Sequence, residues 1–341
     1  MFKEILQKCI QGEQLTEKEA TSAMDEIMSG AATHSQIASL LTVLRFRGET
    51  LDEMVGFAKS MKQHSISIPH NEKGVIDTCG TGGDHAKTFN ISTATAIVLS
   101  SLGVTVAKHG NRSVSSKSGS ADVLEQLNIQ IQTSPEEAAV VLKEKKMSFL
   151  FAPLYHVAMK NVAIPRKELG FRSIFNLLGP LTNPANAEAQ LIGVFDEKHG
   201  AIMAKTLREL GVKRAMLVTG AEGLDEISIS TNTFVTELKE GEISQYVLTP
   251  EDVSLPRGPL TDIQVNSPKE SAEIILNVFQ GGNNETARNI VAFNAGAALY
   301  IANKVSSIEE GVKEVTKAIA NKTVYEQFMN LQEERLEIID A

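Results

Sequence analysis

The chain has 341 residues, 42% hydrophobic and 22% charged, enough to bury a large core in one big domain with a smaller one beside it. A formal net charge of −9 and a pI near 5.4 disfavour a general nucleic-acid or anionic-membrane surface, because cations are concentrated only around Lys108 to Lys117. Cys9 and Cys79 stand apart without metal-ligand spacing, no segment runs 18 apolar residues, and the start MFKEILQKCI lacks a signal-peptide core; the expectation is a cytoplasmic protein with two buried free thiols.

Residues 1 to about 70 read as helix throughout. Thr16 with Glu19, Thr33 with Gln36 and Thr50 with Glu53 form capping boxes, and Gly12, Gly30 and Gly48 stand where helices stop, which predicts four helices. Their apolar stripes (Ile5, Leu6, Cys9, Ile10; Ile27, Met28; Ile37, Leu40, Leu41, Leu44; Met54, Phe57, Ala58, Met61) exceed what so small a bundle covers internally. The surplus packs either on another subunit or on the chain's own larger domain.

The stretch Asp77-Thr-Cys-Gly-Thr-Gly-Gly-Asp84 then follows the short apolar run Val75–Ile76, and a helix is predicted over Thr93–Leu102 before Gly103. Three glycines in four residues permit positive φ and expose bare N–H groups in a concavity, which is how a backbone holds phosphate oxygens. The following helix start adds partial positive charge. A dinucleotide fingerprint would need glycine where His85 stands, and a phosphate-binding P-loop would need one at Ala86. What remains is a different anion loop, with Asp84 available for a cation and Lys87, Thr88, Asn90, Ser92 and Thr93 behind it; a glycine turn without a ligand is the competing reading.

Past Pro69 short β-rich runs (Val75–Cys79, Val104–Lys108, Met147–Ala152, Ala189–Phe195, Arg214–Thr219) alternate with helices near 93–102, 120–127, 155–162 and 198–210, the pattern of a mostly parallel sheet. Ligands gather outside the carboxyl ends of such strands. There lie Gly80–Asp84, the loop Lys108 to Ser120 with its hydroxyls and cations, Pro153–His156, and Gly220–Glu226. The second loop suits a sugar phosphate or polyphosphate. Asp225 and Glu226, adjacent and without a Cys or His cluster, suit a hard cation such as Mg²⁺ shared with substrate phosphates; the alternative is a solvated acidic turn. Prolines and glycines over Tyr155–Gly170 and Arg172–Pro184 suggest crossings back to the helical bundle, hence a hinge, and Arg166 after Pro165 suits a substrate carboxylate, or is a surface arginine. A hairpin is expected over Thr233–Leu248 across Lys239-Glu-Gly-Glu242, and four helices over 271–338.

Gly80-Thr-Gly-Gly-Asp84, Asn90-Ile-Ser-Thr93, Lys108-His-Gly-Asn-Arg112 with Ser118-Gly-Ser-Ala-Asp122, Arg172-Ser-Ile-Phe-Asn-Leu-Leu-Gly-Pro-Leu-Thr-Asn-Pro184 and Gly223-Leu-Asp-Glu226, in this order, resemble the anthranilate phosphoribosyltransferase family. The resemblance implies a homodimer built through the N-terminal helices, with a small all-helical N-terminal domain plus a large α/β domain whose central, mostly parallel sheet is flanked by helices. The helical domain would span 1–70, joined by about 163–184, and the α/β domain 71–162 and 185–341. The implied reaction joins phosphoribosyl pyrophosphate to anthranilate, the second step of tryptophan synthesis from chorismate, with Mg²⁺ as cofactor and no nucleic-acid or membrane partner.

Carried over by motif, Gly80, Gly83, Asp84, Thr88, Asn90, Ile91, Ser92 and Thr93 would hold the pyrophosphate end, and Lys108, His109, Gly110, Asn111, Arg112, Ser113, Val114, Ser115, Ser116 and Ser120 the ribose phosphate. Ser92, Asp225 and Glu226 would be the Mg²⁺ positions. Gly80, Asn111 and Arg166 would contact anthranilate, with His109, Pro153 and His156 lining its approach. At Met159 some relatives carry an aromatic residue, so the outer pocket would differ here. No residue is assigned as a general base. Pyrimidine nucleoside phosphorylases share the architecture but take phosphate; a non-catalytic nucleic-acid-binding relative would need a basic face that the −9 balance opposes.

Overall fold

A computed structural model describes residues 1–84, 86–113 and 118–332. Helices α1 (Phe2–Ile10), α2 (Glu17–Met28), α3 (His34–Arg47) and α4 (Leu51–Gln63) open the chain. The three capping boxes close reciprocally: each threonine accepts the N–H three residues on, and Glu19, Gln36 and Glu53 reach back to the cap. The surplus apolar surface is covered mainly from within the chain. Of the stripe residues only Ile10 is strongly exposed, at 65%, while the others pack with Ile192, Val194, Met203, Leu207, Leu217 and Leu238 of the larger body.

That body is built on one seven-stranded sheet: β1 (Ile76–Gly80), β2 (Val106–Gly110), β3 (Met147–Phe151), β4 (Ala189–Gly193), β5 (Arg214–Gly220), β6 (Thr233–Lys239) and β7 (Glu242–Leu248). Its order is β3-β2-β1-β4-β5-β6-β7, with the first five neighbours parallel and the β6–β7 hairpin added antiparallel at one edge. The hairpin turns at Glu240 and Gly241, both at positive φ (48° and 88°), the conformation that matches strand twist. In register, Gly80 pairs Gly193 and Gly110 pairs Phe151, so the loops after these strands leave from a single rim.

Side chains alternate between two cores, as strand geometry requires. Val106, Leu191, Met216 and Val218 face α5 (Ile91–Ser101) and the C-terminal helices, whereas Ile192, Ala215 and Leu217 face α11 (Gly200–Glu209) and the N-terminal helices. Between these lie α6 (Ser120–Gln126), α7 (Pro135–Lys145), α8 (Ala152–Tyr155), α9 (Lys160–Leu169) and α10 (Ile174–Leu178). The crossings return to the bundle: α9 packs on α3, α10 touches α3 and α4, and Asn161 Nδ2 donates to the last-turn carbonyls of Ile27 (3.2 Å) and Met28 (2.9 Å). Four helices, α12 (Pro268–Phe279), α13 (Glu285–Ile301), α14 (Ile308–Ala320) and α15 (Thr323–Leu331), complete the layer expected after residue 271; the last residues of that expectation, from 333, lie outside the described ones.

Two local expectations are corrected. The helix placed near 155–162 is instead α8, a 3-10 turn at Val157–Met159, and α9 running on to Leu169, broken at His156 (φ −112°, ψ 58°). The strand placed at Val104–Lys108 begins two residues later, because the Val104 N–H is taken by Leu99 O at the end of α5 (3.1 Å). Among the described residues no helix is long and apolar enough to cross a membrane.

Candidate active site

The turn after β5 lies directly on the ends of β1 and β4, and glycine makes that approach possible. A Cβ on Gly193 would sit 1.6 Å from Asp225 O, and one on Gly80 2.8 Å from Asp225 Oδ2. Leu224 and Ile227, both fully buried, anchor the turn on either side of the two acids. Asn294 on α13 fixes it from beneath, accepting from Ile227 N and donating to Ile227 O, each at 3.0 Å. Asp225 and Glu226 are thereby presented half-buried to the first loop: Gly82 N donates to Asp225 Oδ2 (2.9 Å) and Ser92 N to Glu226 Oε1 (3.0 Å).

The charges here are not balanced. Burial, then the negative charges of Asp84 and Glu226, pushes the Asp225 carboxyl well above the usual carboxylate range. Burial lifts Glu226 to about 8, with Asp84 adding to the rise and Lys108 opposing it. Lys108, 2% exposed, donates to Thr78 O and to Ser92 Oγ (3.1 Å), and burial draws its pKa down against the pull of Asp77. Asp77 is buried beneath it, accepting from His109 N (3.1 Å) and Asn183 Nδ2 (2.7 Å), and Asn183 also donates to Ala107 O (2.8 Å). This ties the 173–184 segment to the floor of the site through groups that local sequence patterns do not single out.

The third loop joins the second through two imidazoles, His109 and His156, whose ring centroids are 5.0 Å apart. Each bonds a backbone carbonyl, of Gly179 and Thr182 respectively, and each leaves a buried Nε2 without a partner. The free nitrogen is Nε2 in both rings, so the carbonyl bond is made by Nδ1–H and the open Nε2 is an acceptor. Burial lowers His109 to about 3, with help from His156, and His156 to about 4. Both stay neutral at physiological pH.

The remaining expected residues divide. Asn90 is spent on structure: its Oδ1 accepts from Ser118 Oγ (2.7 Å) and Ser271 Oγ (2.9 Å), and its Nδ2 donates to Ser118 O (3.2 Å). Ile91 is a core side chain, and Thr93 is buried with an unpartnered Oγ1. Thr88 bridges to Gln264. Asn111 is exposed, its carbonyl accepting from Ser120 Oγ (3.2 Å), and Gly110 lies under Ser120 where a Cβ would meet Oγ at 2.4 Å. The Arg112 guanidinium is held by Asp122 (2.9 Å) and, through both terminal nitrogens, by Glu125 (2.7 and 2.6 Å). Ser113 N donates to Asp122 Oδ2 (3.0 Å). Val114, Ser115 and Ser116 lie outside the described residues. Pro153 is exposed at the start of α8. Arg166, half-buried on α9 with Cζ 5.5 Å from the Phe175 ring centroid, has no ion pair among the described residues, and burial lowers its pKa. Cys79 is buried and its thiol is raised well above the ordinary value by burial and Asp77, as suits a strand-end core residue.

A glycine turn facing an acidic turn at the rim of a parallel sheet, with a helical bundle beside it, is the architecture of a class of glycosyltransferases. Residues 3–65 match the helical bundle domain of the glycosyl transferase family, and residues 72–323 its a/b domain. An anthranilate phosphoribosyltransferase of Halalkalibacterium halodurans is 59% identical over 333 residues, covering 98% of this chain and 97% of that one; one of Geobacillus kaustophilus is 57% identical over 332 residues, covering 97% and 98%. Among solved structures, the crystal structure of the Thermus thermophilus enzyme superposes with a TM-score of 0.90 at 39% identity (96% of this chain, 97% of that one). The Saccharomyces cerevisiae enzyme in complex with PRPP and Mg does so with 0.88 at 25% identity (97% and 96%). The chain belongs to the anthranilate phosphoribosyltransferase family, and it is a pentosyl-transferring glycosyltransferase, as its motifs led one to expect.

Proposed function

We propose that the chain transfers the phosphoribosyl group of phosphoribosyl pyrophosphate to the amine of anthranilate, releasing pyrophosphate. The observation that carries this reading is the interlock of the first and fifth loops, in which the glycine turn and the start of α5 donate to an uncompensated acid pair. The C1–O bond to pyrophosphate breaks with its electron pair leaving on oxygen, the amine lone pair forms C1–N on the opposite face, and the amine then gives up a proton to water.

The N–H groups of the glycine turn receive the departing oxygens, as preformed donors do for developing charge. Lys108 orients the Ser92 hydroxyl by donating to its oxygen. Arg166 pairs with the anthranilate carboxylate, and the neutral His109–His156 pair lines the route of the ring. Positioning supplies most of the acceleration, since an aryl amine needs no deprotonation before attack.

Mg²⁺ fits the donor set. Ser92, Asp225 and Glu226 offer hard oxygens, and the raised carboxyls mark negative charge that lacks a counter-ion. Among the described residues no three acidic, His or Cys side chains form a self-sufficient metal site, which suits an ion completed by substrate phosphates. When bound, it would offset charge on the leaving pyrophosphate.

Two further assignments belong to this reading. The two bodies divide at about residue 70, with about 163–184 belonging to the helical one. Two copies pair through the N-terminal helices, supported by Phe46 (93% exposed), Met1 (67%) and Ile10 (65%) on that body; Phe46→Glu should convert a dimer to a monomer in sedimentation. The reaction itself is tested by loss of anthranilate fluorescence on mixing protein, phosphoribosyl pyrophosphate and Mg²⁺. No loss, with phosphorolysis of a nucleoside in its place, would overturn it.

A further inference from the structure

We propose that Arg172 is a positioning residue for the glycine turn, holding the Gly83 carbonyl so that the next N–H is aimed at the pyrophosphate oxygens; this rests on the reaction proposed above. The Arg172 guanidinium lies over the Phe195 ring, with Cζ 4.4 Å from the centroid, and its Nη2 donates to Gly83 O. Among the described residues it has no carboxylate partner. Its stacking partner is itself tied to the turn: Phe195 N donates to Thr81 Oγ1 at 3.0 Å, and Thr81 N to Gly193 O at 2.8 Å.

The consequence follows from peptide geometry. In a trans peptide the carbonyl and the following N–H point in opposite directions, so fixing Gly83 O on Arg172 sends the Asp84 N–H away from it. Of the four N–H groups from Thr81 to Asp84, the first two are occupied, by Gly193 O and Asp225 Oδ2. Those of Gly83 and Asp84 have no acceptor among the described residues. They are the pair left for an anion. Gly83 is at φ +84°, and a Cβ there would meet Arg172 Nε at 2.8 Å, so a bare backbone and a planar side chain are fitted to each other.

Arg172 also stands between α9, which carries Arg166, and α10, which packs on α3 and α4. One short segment therefore grips the glycine turn at one end and carries the candidate carboxylate partner at the other.

The test uses the full chain and three variants, Arg172→Gln, Arg172→Lys and Phe195→Leu, read by the KM for each substrate, kcat, thermal midpoint, and calorimetric binding of pyrophosphate with Mg²⁺. Arg172→Gln should weaken pyrophosphate and raise the phosphoribosyl pyrophosphate KM about tenfold, leaving the anthranilate KM and the thermal midpoint almost unchanged. Arg172→Lys should not restore it, because an ammonium cannot stack on Phe195 and donate in plane at once. Phe195→Leu, which keeps the charge, should lose about threefold in the same parameter. Wild-type-like behaviour of both Arg172→Lys and Phe195→Leu would overturn the positioning role and leave charge alone; so would unchanged pyrophosphate binding in Arg172→Gln. If Arg172→Gln fails to fold, Phe195→Leu decides by the same pyrophosphate measurement. Because that measurement needs no turnover, it is independent of whether anthranilate is the acceptor.

Discussion

Two carboxylates in different parts of the molecule are treated in opposite ways. Glu53, fully buried in the helical bundle, accepts from Leu15 N (2.9 Å), Thr50 N (2.9 Å) and the Arg47 guanidinium (2.5 Å). Glu226, at the rim of the sheet, accepts one backbone N–H and is pushed up to about 8, and burial with the neighbouring acids also raises Asp225 well above the ordinary carboxylate range. The first is a closed network that joins α1–α2, α3 and α4; the second is charge held apart from its counter-ion. An interior acid satisfied so completely in one place and a pair left short of partners in another is the contrast that the ligand role proposed for the second place calls for.

Changing the acids in each place should separate these roles. Asp225→Asn with Glu226→Gln should abolish Mg²⁺-dependent turnover, a loss of at least about 10³-fold, while raising the thermal midpoint of the metal-free protein. The sign follows from the raised pKa values: the folded acids bind protons more tightly than the unfolded ones, so stability falls as pH rises from the ordinary carboxylate range towards 8, and neutral amides remove that loss. Normal metal dependence in the double variant would make the acidic pair an ordinary solvated turn. Glu53→Gln should do the reverse, costing about 3 kcal/mol in urea unfolding because Arg47 is left unpaired, with kcat and both KM values unchanged.

Arg166→Ala sharpens the contrast between the two substrates: the anthranilate KM should rise about tenfold and that for phosphoribosyl pyrophosphate by less than about twofold. Equal changes would remove Arg166 from the carboxylate role. A pH effect is expected at His156. Its ring stays neutral in the fold down to about pH 4 but takes a proton near 6.5 when unfolded, so its contribution is intact above 6.5 and is lost as pH falls. Between pH 7 and 5 the wild type should lose about 2 kcal/mol more than His156→Gln in denaturant titrations; parallel losses would show that the ring is not held neutral.

Local chemistry was readable wherever one segment decides its own shape. The capping boxes at Thr16, Thr33 and Thr50, the Glu240–Gly241 turn and the glycine stretch all need only neighbours a few residues away. The same logic would have found α7, whose start carries Ser134 as cap, Pro135 in the first turn and Glu137 closing a box. Not legible were Asp77, Asn183, Arg172 and Asn294 as supports of the site, because each acts across 32 to 106 residues of chain on a backbone group whose orientation depends on the assembled sheet. Arg112 shows the converse: a cation suited to phosphate by its motif is bound in the fold to Asp122 and Glu125.

Asn294 joins the acidic turn to a helix 67 residues further along, so the turn cannot take its final form until α13 has folded against the sheet. A growing polypeptide would therefore hold all the strands of the sheet before the proposed cation site takes its final form. Catalytic competence is in this sense the last property the molecule acquires, and a nascent chain halted ahead of α13 would be spared from capturing a costly activated sugar that it could not yet use.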